Sequence, residues 1–228
     1  MTAAQPLASP TLVTPVPGPS VERTPLSELL WGIRWADWLP FDLGGGCSVH
    51  ASSLAASTPF IRRNYARIFE DDGTSPFRND VLTPAKARYY EHCADFFEFT
   101  HKGETIGLLV CDPLDWSTYY IRSAAVLPEH QGRQLVQRFF TNLAFDQLAR
   151  AGVCRADIDV SPSNLAMLHI ATRLRFNPTG TVLTERWGAL TRFTKFLSDD
   201  AHQVFLEQFC SGVKYQRRPS PTREAVQG

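Results

Sequence analysis

The sequence lacks a surplus of either charge. Lys and Arg together number 23, and Asp and Glu together also number 23, so the formal net charge at pH 7 is zero. Proteins that bind nucleic acid or anionic membranes normally carry a basic surplus, so we expect neither a nucleic-acid partner nor a membrane partner. The chain also lacks the apolar run of about 18 residues that a membrane-spanning helix would need.

Cysteine is scarce, and no CxxC pair occurs. The five cysteines are scattered along the chain: Cys47, Cys93, Cys111, Cys154 and Cys210. An odd, dispersed set argues against a structural zinc site and against a disulfide framework, so we expect no metal and a reduced, cytoplasmic protein. The N-terminus also lacks the basic start and apolar block of a signal peptide.

The proline distribution divides the chain into a core and two tails. Residues 1–23 hold five prolines and few large apolar groups, which predicts a disordered tail. Residues 213–228 are rich in arginine and proline and are predicted to be flexible as well. The 43% hydrophobic content is enough for one core, which we place in a single domain over residues 24–212.

Three Thr-Pro pairs predict helix starts, because threonine caps a helix and proline is tolerated at its first position. The predicted helices are 25–38, 59–69 and 84–92. Large aromatics usually serve burial, so Trp31, Trp35 and Trp38 are interpreted as core residues rather than a ligand platform.

The rest of the chain alternates between strand and helix patterns. Strands are predicted over residues 96–100, 105–111, 119–127, 155–160, 181–186 and 190–197. Helices are predicted over residues 134–150, 161–174 and 199–210. This order indicates an α/β fold with a mixed sheet flanked by helices, preceded by extra N-terminal helices. A first strand is expected somewhere in 41–50.

One junction carries the clearest chemical signal. Strand 119–127 is followed by Pro-Glu-His-Gln-Gly-Arg and then by an amphipathic helix. The first N–H groups of a helix have no partner inside it and favour an anion such as a pyrophosphate. Gly132 permits close backbone approach, and Arg133 adds a positive charge.

This junction resembles the acetyl-CoA loop of the GNAT (Gcn5-related N-acetyltransferase) superfamily, whose motif is Gln/Arg-x-x-Gly-x-Gly/Ala. Gln131 matches the first position, whereas Gln134 and Val136 replace the two small residues. Further on, Asn164 fits the asparagine that contacts the cofactor in the family, and Ala171 replaces the tyrosine that often protonates the leaving thiolate. The resemblance spans residues 96–197.

The resemblance implies a GNAT-like sheet and an N-acyltransferase that uses acetyl-CoA or another acyl-CoA as co-substrate. Its acceptor would be an amine of a small molecule, attacked directly. The cofactor-binding residues it implies are Ala125, Val126, Leu127, Gln131, Gly132, Arg133, Gln134, Leu135, Val136 and Asn164. The sequence is compatible with a homodimer and does not fix the oligomeric state.

The replaced tyrosine leaves the general acid and base open. The candidate catalytic residues are Glu98 as a base, Ser123 on the central strand and Thr172 as a hydroxyl near the face of Asn164 and Ala171. Each has a plainer interpretation as a solvated or packed side chain. Cys47 with His50 could suggest a thiol nucleophile, but no third group orients the pair.

Two other functions remain open at this point. A catalytically inactive member could keep the fold and bind acyl-CoA. An acyltransferase could instead draw its acyl group from an acyl carrier protein.

Overall fold

The computed structural model describes residues 24–69, 83–184 and 187–209. The predicted tails, 1–23 and 213–228, lie outside the described residues, as do Cys210 and residues 185–186, which belong to the predicted strand 181–186. Within the described ranges, no helix combines the length and the apolar character that crossing a bilayer would need.

Eight strands form one mixed sheet in the order β1-β2-β3-β4-β5-β6-β8-β7. They are β1 (Phe41–Gly44), β2 (Cys47–Ser52), β3 (Asp95–His101), β4 (Glu104–Pro113), β5 (Thr118–Val126), β6 (Arg155–Val160), β7 (Asn177–Thr184) and β8 (Gly188–Phe196). Among the described strands, β5 and β6 form the one parallel pair. A helical crossover between them supplies the connection that parallel pairing requires.

The helices are α1 (Leu26–Trp31), α2 (Leu54–Ile68), α3 (Pro84–Cys93), α4 (Leu135–Phe139), α5 (Phe145–Arg150), α6 (Leu165–Arg173) and α7 (Asp199–Phe209). A π-helical turn, Phe140–Ala144, joins α4 to α5, so residues 135–150 form one continuous helical segment. Apolar residues at helical spacing give that segment the buried stripe that the sequence predicts.

The two faces of the sheet carry separate hydrophobic clusters. We call them the α4 face and the α2 face after the helices that cover them. On the α4 face, Trp35, Phe97 and Phe139 pack together in a large cluster. On the α2 face, Leu54 and Phe60 of α2 pack on Phe96 and the strands beside it. The mixed α/β sheet that the sequence predicts is confirmed.

Two of the three Thr-Pro predictions need correction. The predicted helix 25–38 stops at Trp31 because Gly32 takes a left-handed conformation, φ 68°, and caps it. The predicted helix 59–69 begins earlier, at Leu54, because the Ser53 hydroxyl accepts from the Ala56 N–H. Thr83 caps α3 as expected, with its hydroxyl accepting from the Lys86 N–H.

Further elements differ from the sequence prediction. Strand β7 begins at Asn177 rather than near residue 181. Helix α6 begins at Leu165 rather than near residue 161, because the Asn164 side chain accepts from the Met167 N–H and acts as its cap. The unplaced first strand is a hairpin of two strands, β1 and β2. Its turn is built on Gly44, Gly45 and Gly46, which all have positive φ.

Candidate active site

The sheet opens between its two parallel strands. Strand β5 continues to Val126 and β6 to Val160, but they pair only from Thr118 with Arg155 to Ile121 with Ile158. Beyond Ile121, the edge of β5 that faces β6 has no strand partner within the described part of the chain. The unpaired backbone groups on this edge can hydrogen-bond to an extended ligand chain.

A β-bulge marks the place where the strands separate. Val110 of β4 pairs with Ser123, whereas Cys111 pairs with Ile121, so Arg122 is an extra residue in β5. Bulges redirect side chains and are common beside active sites. Both Arg122 and Ser123 consequently contact groups on the α2 face.

The loop after β5 leads into the start of α4. The amide N–H groups of Leu135, Val136 and Gln137 have no hydrogen-bond partner among the described residues, since the first intrahelical bond runs from the Arg138 N–H to the Gln134 carbonyl. Their dipoles favour an anion at the loop.

Two residues of the loop adopt left-handed backbone conformations. Gly132 has φ 76°, and Gln134 has φ 60° and ψ 28°. The exposed Gln134 therefore keeps a backbone shape that suits glycine, at a cost of about 1 kcal/mol. The loop retains its turn even where the family's glycine is missing.

The remaining loop side chains take varied roles. Gln131 donates from Nε2 to the Val126 carbonyl at 3.1 Å, which ties the loop to the end of β5. Exposed Arg133 has an Nη1 group 4.0 Å from the Cys47 sulfur. The side chains of Leu135 and Val136 are buried, so only their backbone can serve a ligand.

Four other predicted cofactor residues also fall beside this opening. Ala125 is buried in the cluster on the α2 face, and Val126 and Leu127 are half-buried. Asn164 is exposed, and its side-chain oxygen caps α6, so its amide nitrogen is the group left for a ligand.

The predicted catalytic residues do not all meet. Glu98 accepts from Ser52, Ser57 and Thr105 on the α2 face and lines a cavity of about 540 Å³ between α2 and the sheet. Ser123 contacts the hydroxyl of Tyr65 at 3.4 Å.

Helix α2 shows how far apart Glu98 and Ser123 lie. Their α2 partners, Ser57 and Tyr65, are separated by about 12 Å along the helix axis. Glu98 and Ser123 therefore share a face of the sheet without sharing a site.

Helix α6 contributes little chemistry. Thr172 is exposed, and its hydroxyl donates to the Leu168 carbonyl, so the structure does not place it with Ser123. Ala171, at the position of the family tyrosine, is fully buried in the core. His169 is exposed. The thiol hypothesis also fails on geometry, because Cys47 packs in the α4-face cluster whereas His50 bonds Thr100 on the opposite face.

Sequence reasoning missed Tyr65. Its hydroxyl reaches the bulge of β5, and burial raises its pKa, so it keeps its proton. Aromatic contacts link it to Phe69 and, through Phe69, to Trp187. The available signal was the helical spacing of Ile61, Tyr65 and Phe69.

Sequence reasoning also missed the polar network on β6, where Asp157 is buried and Asp159 pairs with Arg192. The regular alternation of charges along β6 was the signal for this network.

Comparison with known proteins agrees with this geometry. The profile of the acetyltransferase (GNAT) family matches residues 60–176, about half of the chain. The chain belongs to the GNAT acetyltransferase family. No curated protein gives a significant match.

Solved structures share the GNAT fold at low identity. A putative acetyltransferase, yncA, from Salmonella typhimurium, solved with acetyl-CoA, has a TM-score of 0.52 and 19% identity over 68% of this chain and 96% of its own. A spermidine N-acetyltransferase from Vibrio cholerae has a TM-score of 0.51 and 15% identity over 71% of this chain and 99% of its own. A ribosomal-protein-S5-alanine acetyltransferase from Vibrio fischeri has a TM-score of 0.51 and 16% identity over 70% and 97%. The fold and family support acyl transfer from acyl-CoA.

Proposed function

We propose that this protein is an N-acyltransferase that moves an acetyl or other acyl group from acyl-CoA to an amine of a small molecule. The observation that carries the proposal is the opening between β5 and β6 beyond Ile121, with the anion-favouring start of α4 at its end. The extended pantetheine arm of an acyl-CoA can hydrogen-bond to an unpaired strand edge, and its pyrophosphate can accept hydrogen bonds from unpaired N–H groups. The free edge of β5 and the N–H groups at the start of α4 lie on one continuous segment of the chain.

The binding residues follow from this arrangement. The pantetheine arm would hydrogen-bond to the free edge of β5, while the N–H groups of Leu135, Val136 and Gln137 would hold the pyrophosphate. Arg133 would add charge, and the amide nitrogen of Asn164 would donate from the other rim of the opening.

The reaction is a direct transfer. The amine lone pair attacks the thioester carbonyl carbon, an unpaired N–H of β5 polarises the carbonyl oxygen, and the carbon–sulfur bond breaks. The thiolate takes one proton, and the acceptor nitrogen loses one to water.

Tyr65 is the proton donor that the geometry favours. Ala171 has no proton to give, and Thr172 is exposed and bonded to its own helix. The hydroxyl of Tyr65 reaches the bulge of β5 from the α2 face, 3.4 Å from Ser123. Because burial raises its pKa, the hydroxyl carries its proton at physiological pH. After Tyr65 protonates the thiolate, water passes the proton lost by the acceptor nitrogen back to Tyr65.

Calorimetric titration tests the binding site for the acyl donor, acyl-CoA. Acetyl-CoA, free CoA and a longer acyl-CoA are titrated into the protein and into Asn164→Ala and Asn164→Ser. Serine retains an oxygen cap for α6 but lacks the amide donor. If the amide contacts the ligand, both variants bind more weakly; if only the cap matters, serine binds like the parent.

Thiol release with a panel of amines then tests the reaction. Turnover with acyl-CoA supports the proposal. Binding without turnover on any amine would instead indicate an inactive acyl-CoA-binding protein. Failure to bind CoA, together with turnover of an acyl carrier protein donor, would replace acyl-CoA with that donor.

A further inference from the structure

Two ion pairs and a tyrosine form a charged cluster on the α2 face. Arg122 holds Asp112 through Nε and Nη2, at 2.8 Å each, and Arg192 holds Asp159 through the same two groups, also at 2.8 Å each. The ring of Tyr120 lies between them, 5.4 Å from the guanidinium carbon of Arg122 and 5.9 Å from that of Arg192. We call these five residues the arginine cluster.

The arginine cluster presents its positive side outward. The side chains of Asp112 and Asp159 are 7% and 5% exposed, whereas those of Arg122 and Arg192 are 37% and 30% exposed. The Nη1 group of each arginine has no hydrogen-bond partner among the described residues. A ligand reaching this surface therefore meets guanidinium donors rather than carboxylate oxygens.

No phenolate offsets that positive surface. The hydroxyl of Tyr120 donates to Asp159 at 3.1 Å, and burial together with the Asp159 carboxylate raises the pKa of Tyr120 to about 12. Tyr120 is neutral at physiological pH, and its ring face supports both cations.

The cluster spans the opening where the thioester would lie. Arg122 is the bulged residue of β5, next to Ser123, on one rim. Asp159 belongs to the part of β6 beyond its pairing with β5, on the other rim, and it holds Arg192 of β8. An anion bound to both arginines would sit over the gap.

Aromatic side chains stand beside this opening on the same face. Tyr90 of α3 lies 6.0 Å from the Arg122 guanidinium. Tyr65, Phe69 and Trp187 form a chain of rings, with centroids 5.2 Å and 6.1 Å apart. These walls suit a flat or bulky apolar group rather than a chain of charges.

We propose that the acceptor is an amine that also carries a carboxylate and a large apolar side chain, such as an aromatic amino acid, with Arg122 and Arg192 binding the carboxylate. This inference rests on the proposed function and specifies its acceptor class. A polyamine finds no exposed carboxylate in the arginine cluster, so it is not the acceptor this site would select.

The test compares acceptors that share a primary amine and an aromatic ring and differ at the carboxylate. Thiol release from acetyl-CoA is measured with L-phenylalanine, L-phenylalaninamide and phenethylamine. We expect kcat/KM for the acid to exceed that for the amide by about tenfold or more, as hydrogen bonds to a charged group allow. L-leucine and L-leucinamide show whether an aliphatic side chain is also accepted.

The variant for this test is the double substitution Arg192→Gln with Asp159→Asn. It removes both charges of one pair, so no buried carboxylate is left alone. The preference for the acid should then largely disappear. Arg155→Gln is the matched control, because Arg155 pairs with Asp115 at the opposite end of β6 and should leave the preference unchanged.

Two results would overturn the inference: equal kcat/KM for the acid and the amide, or a preference that survives the double substitution. If no acceptor is turned over although acetyl-CoA binds, the proposed activity fails and the site is judged by binding alone. Ligand-observed NMR of L-phenylalanine and L-phenylalaninamide, with the wild-type and double-variant proteins, then decides. Equal binding of the two ligands to the wild-type protein refutes a carboxylate site.

Discussion

Asp95 is a buried carboxylate whose removal should change how the stability of the protein depends on pH. Its oxygens accept from the Ser27 hydroxyl at 2.7 Å, the Trp35 indole at 3.0 Å and the Tyr119 hydroxyl at 2.8 Å. No cationic side chain among the described residues pairs with it. Burial therefore outweighs the three donors and raises the pKa of Asp95 to about 6.

The size of the effect follows from that pKa. Because the folded state binds the Asp95 proton more tightly than the unfolded chain, this group adds stability as pH falls from about 6 towards the ordinary aspartate value of 3.8. The full contribution is about 3 kcal/mol, of which about 2 kcal/mol appears between roughly pH 7.5 and pH 4.5. Above about pH 6 this contribution is lost, and the ionised carboxylate weakens the fold.

Asp95→Asn removes the titration while preserving the shape of the site. The amide oxygen can accept from Trp35 and Tyr119, and the amide nitrogen can donate to the Ser27 hydroxyl. Asp95→Ala, by contrast, leaves three buried donors without an acceptor and should cost about 1–3 kcal/mol for each.

Urea unfolding of wild type and Asp95→Asn, followed by tryptophan fluorescence from pH 4.5 to 7.5, measures the effect. Other carboxylates titrate in both proteins, so the informative quantity is the difference between their free energies of unfolding. That difference should shift by about 2 kcal/mol in favour of the wild type as the pH falls. A flat difference, or a shift in the opposite direction, would show that the three donors hold Asp95 ionised and would refute the argument.

Three further predictions concern the opening and its loop. Tyr65→Phe should lower kcat by about a hundredfold and leave the acetyl-CoA Kd unchanged, with exposed Tyr89→Phe as the control; an unaffected kcat would exclude Tyr65 as proton donor. Gln134→Gly should raise the free energy of unfolding in urea melts by about 1 kcal/mol and tighten acetyl-CoA binding in calorimetry, because glycine adopts φ 60° without strain. Weaker binding would instead mean that the Gln134 amide contacts the ligand. Gly107→Ala should cost about 1–3 kcal/mol in urea melts, because the new Cβ would lie 2.9 Å from the Ala125 carbonyl; a neutral change would mean that β4 and β5 can shift apart.

The sequence predicts the central part of the fold well because local signals and packing agree there. Strand β6 occupies the predicted residues, and its apolar positions face the α4 cluster as the alternation requires. The N-terminal helices were predicted less well because a Thr-Pro pair fits either the start of a helix or a position inside it. Pro59 lies inside α2, and Ser53 rather than Thr58 caps that helix. The packing of Leu54 on the sheet, which the sequence does not reveal, favours the earlier start of α2.

The site was predicted in part for a related reason. The loop and Asn164 could be found because they are contiguous motifs with fixed spacing. The contacts of Tyr65 with β5 and of Arg192 with β6 could not be found, because each joins distant parts of the chain. The bulge at Arg122 is also invisible in sequence, since strand alternation alone would place Arg122 and Ser123 on opposite faces.

The residues that depart from the GNAT motif have unequal consequences, and the backbone shows why. At Gln134 the missing glycine changes the side chain but not the turn, since the residue remains left-handed and exposed. At Ala171 the missing tyrosine removes a reactive group, and the position is closed by core packing, so no nearby residue of α6 can replace it. The replacement we propose is Tyr65 on α2, because the bulge turns Ser123 towards that helix. If the proton donor has moved to the α2 face, it shares that face with the arginine cluster, so the choice of acceptor and the release of the thiol would depend on the same side of the sheet.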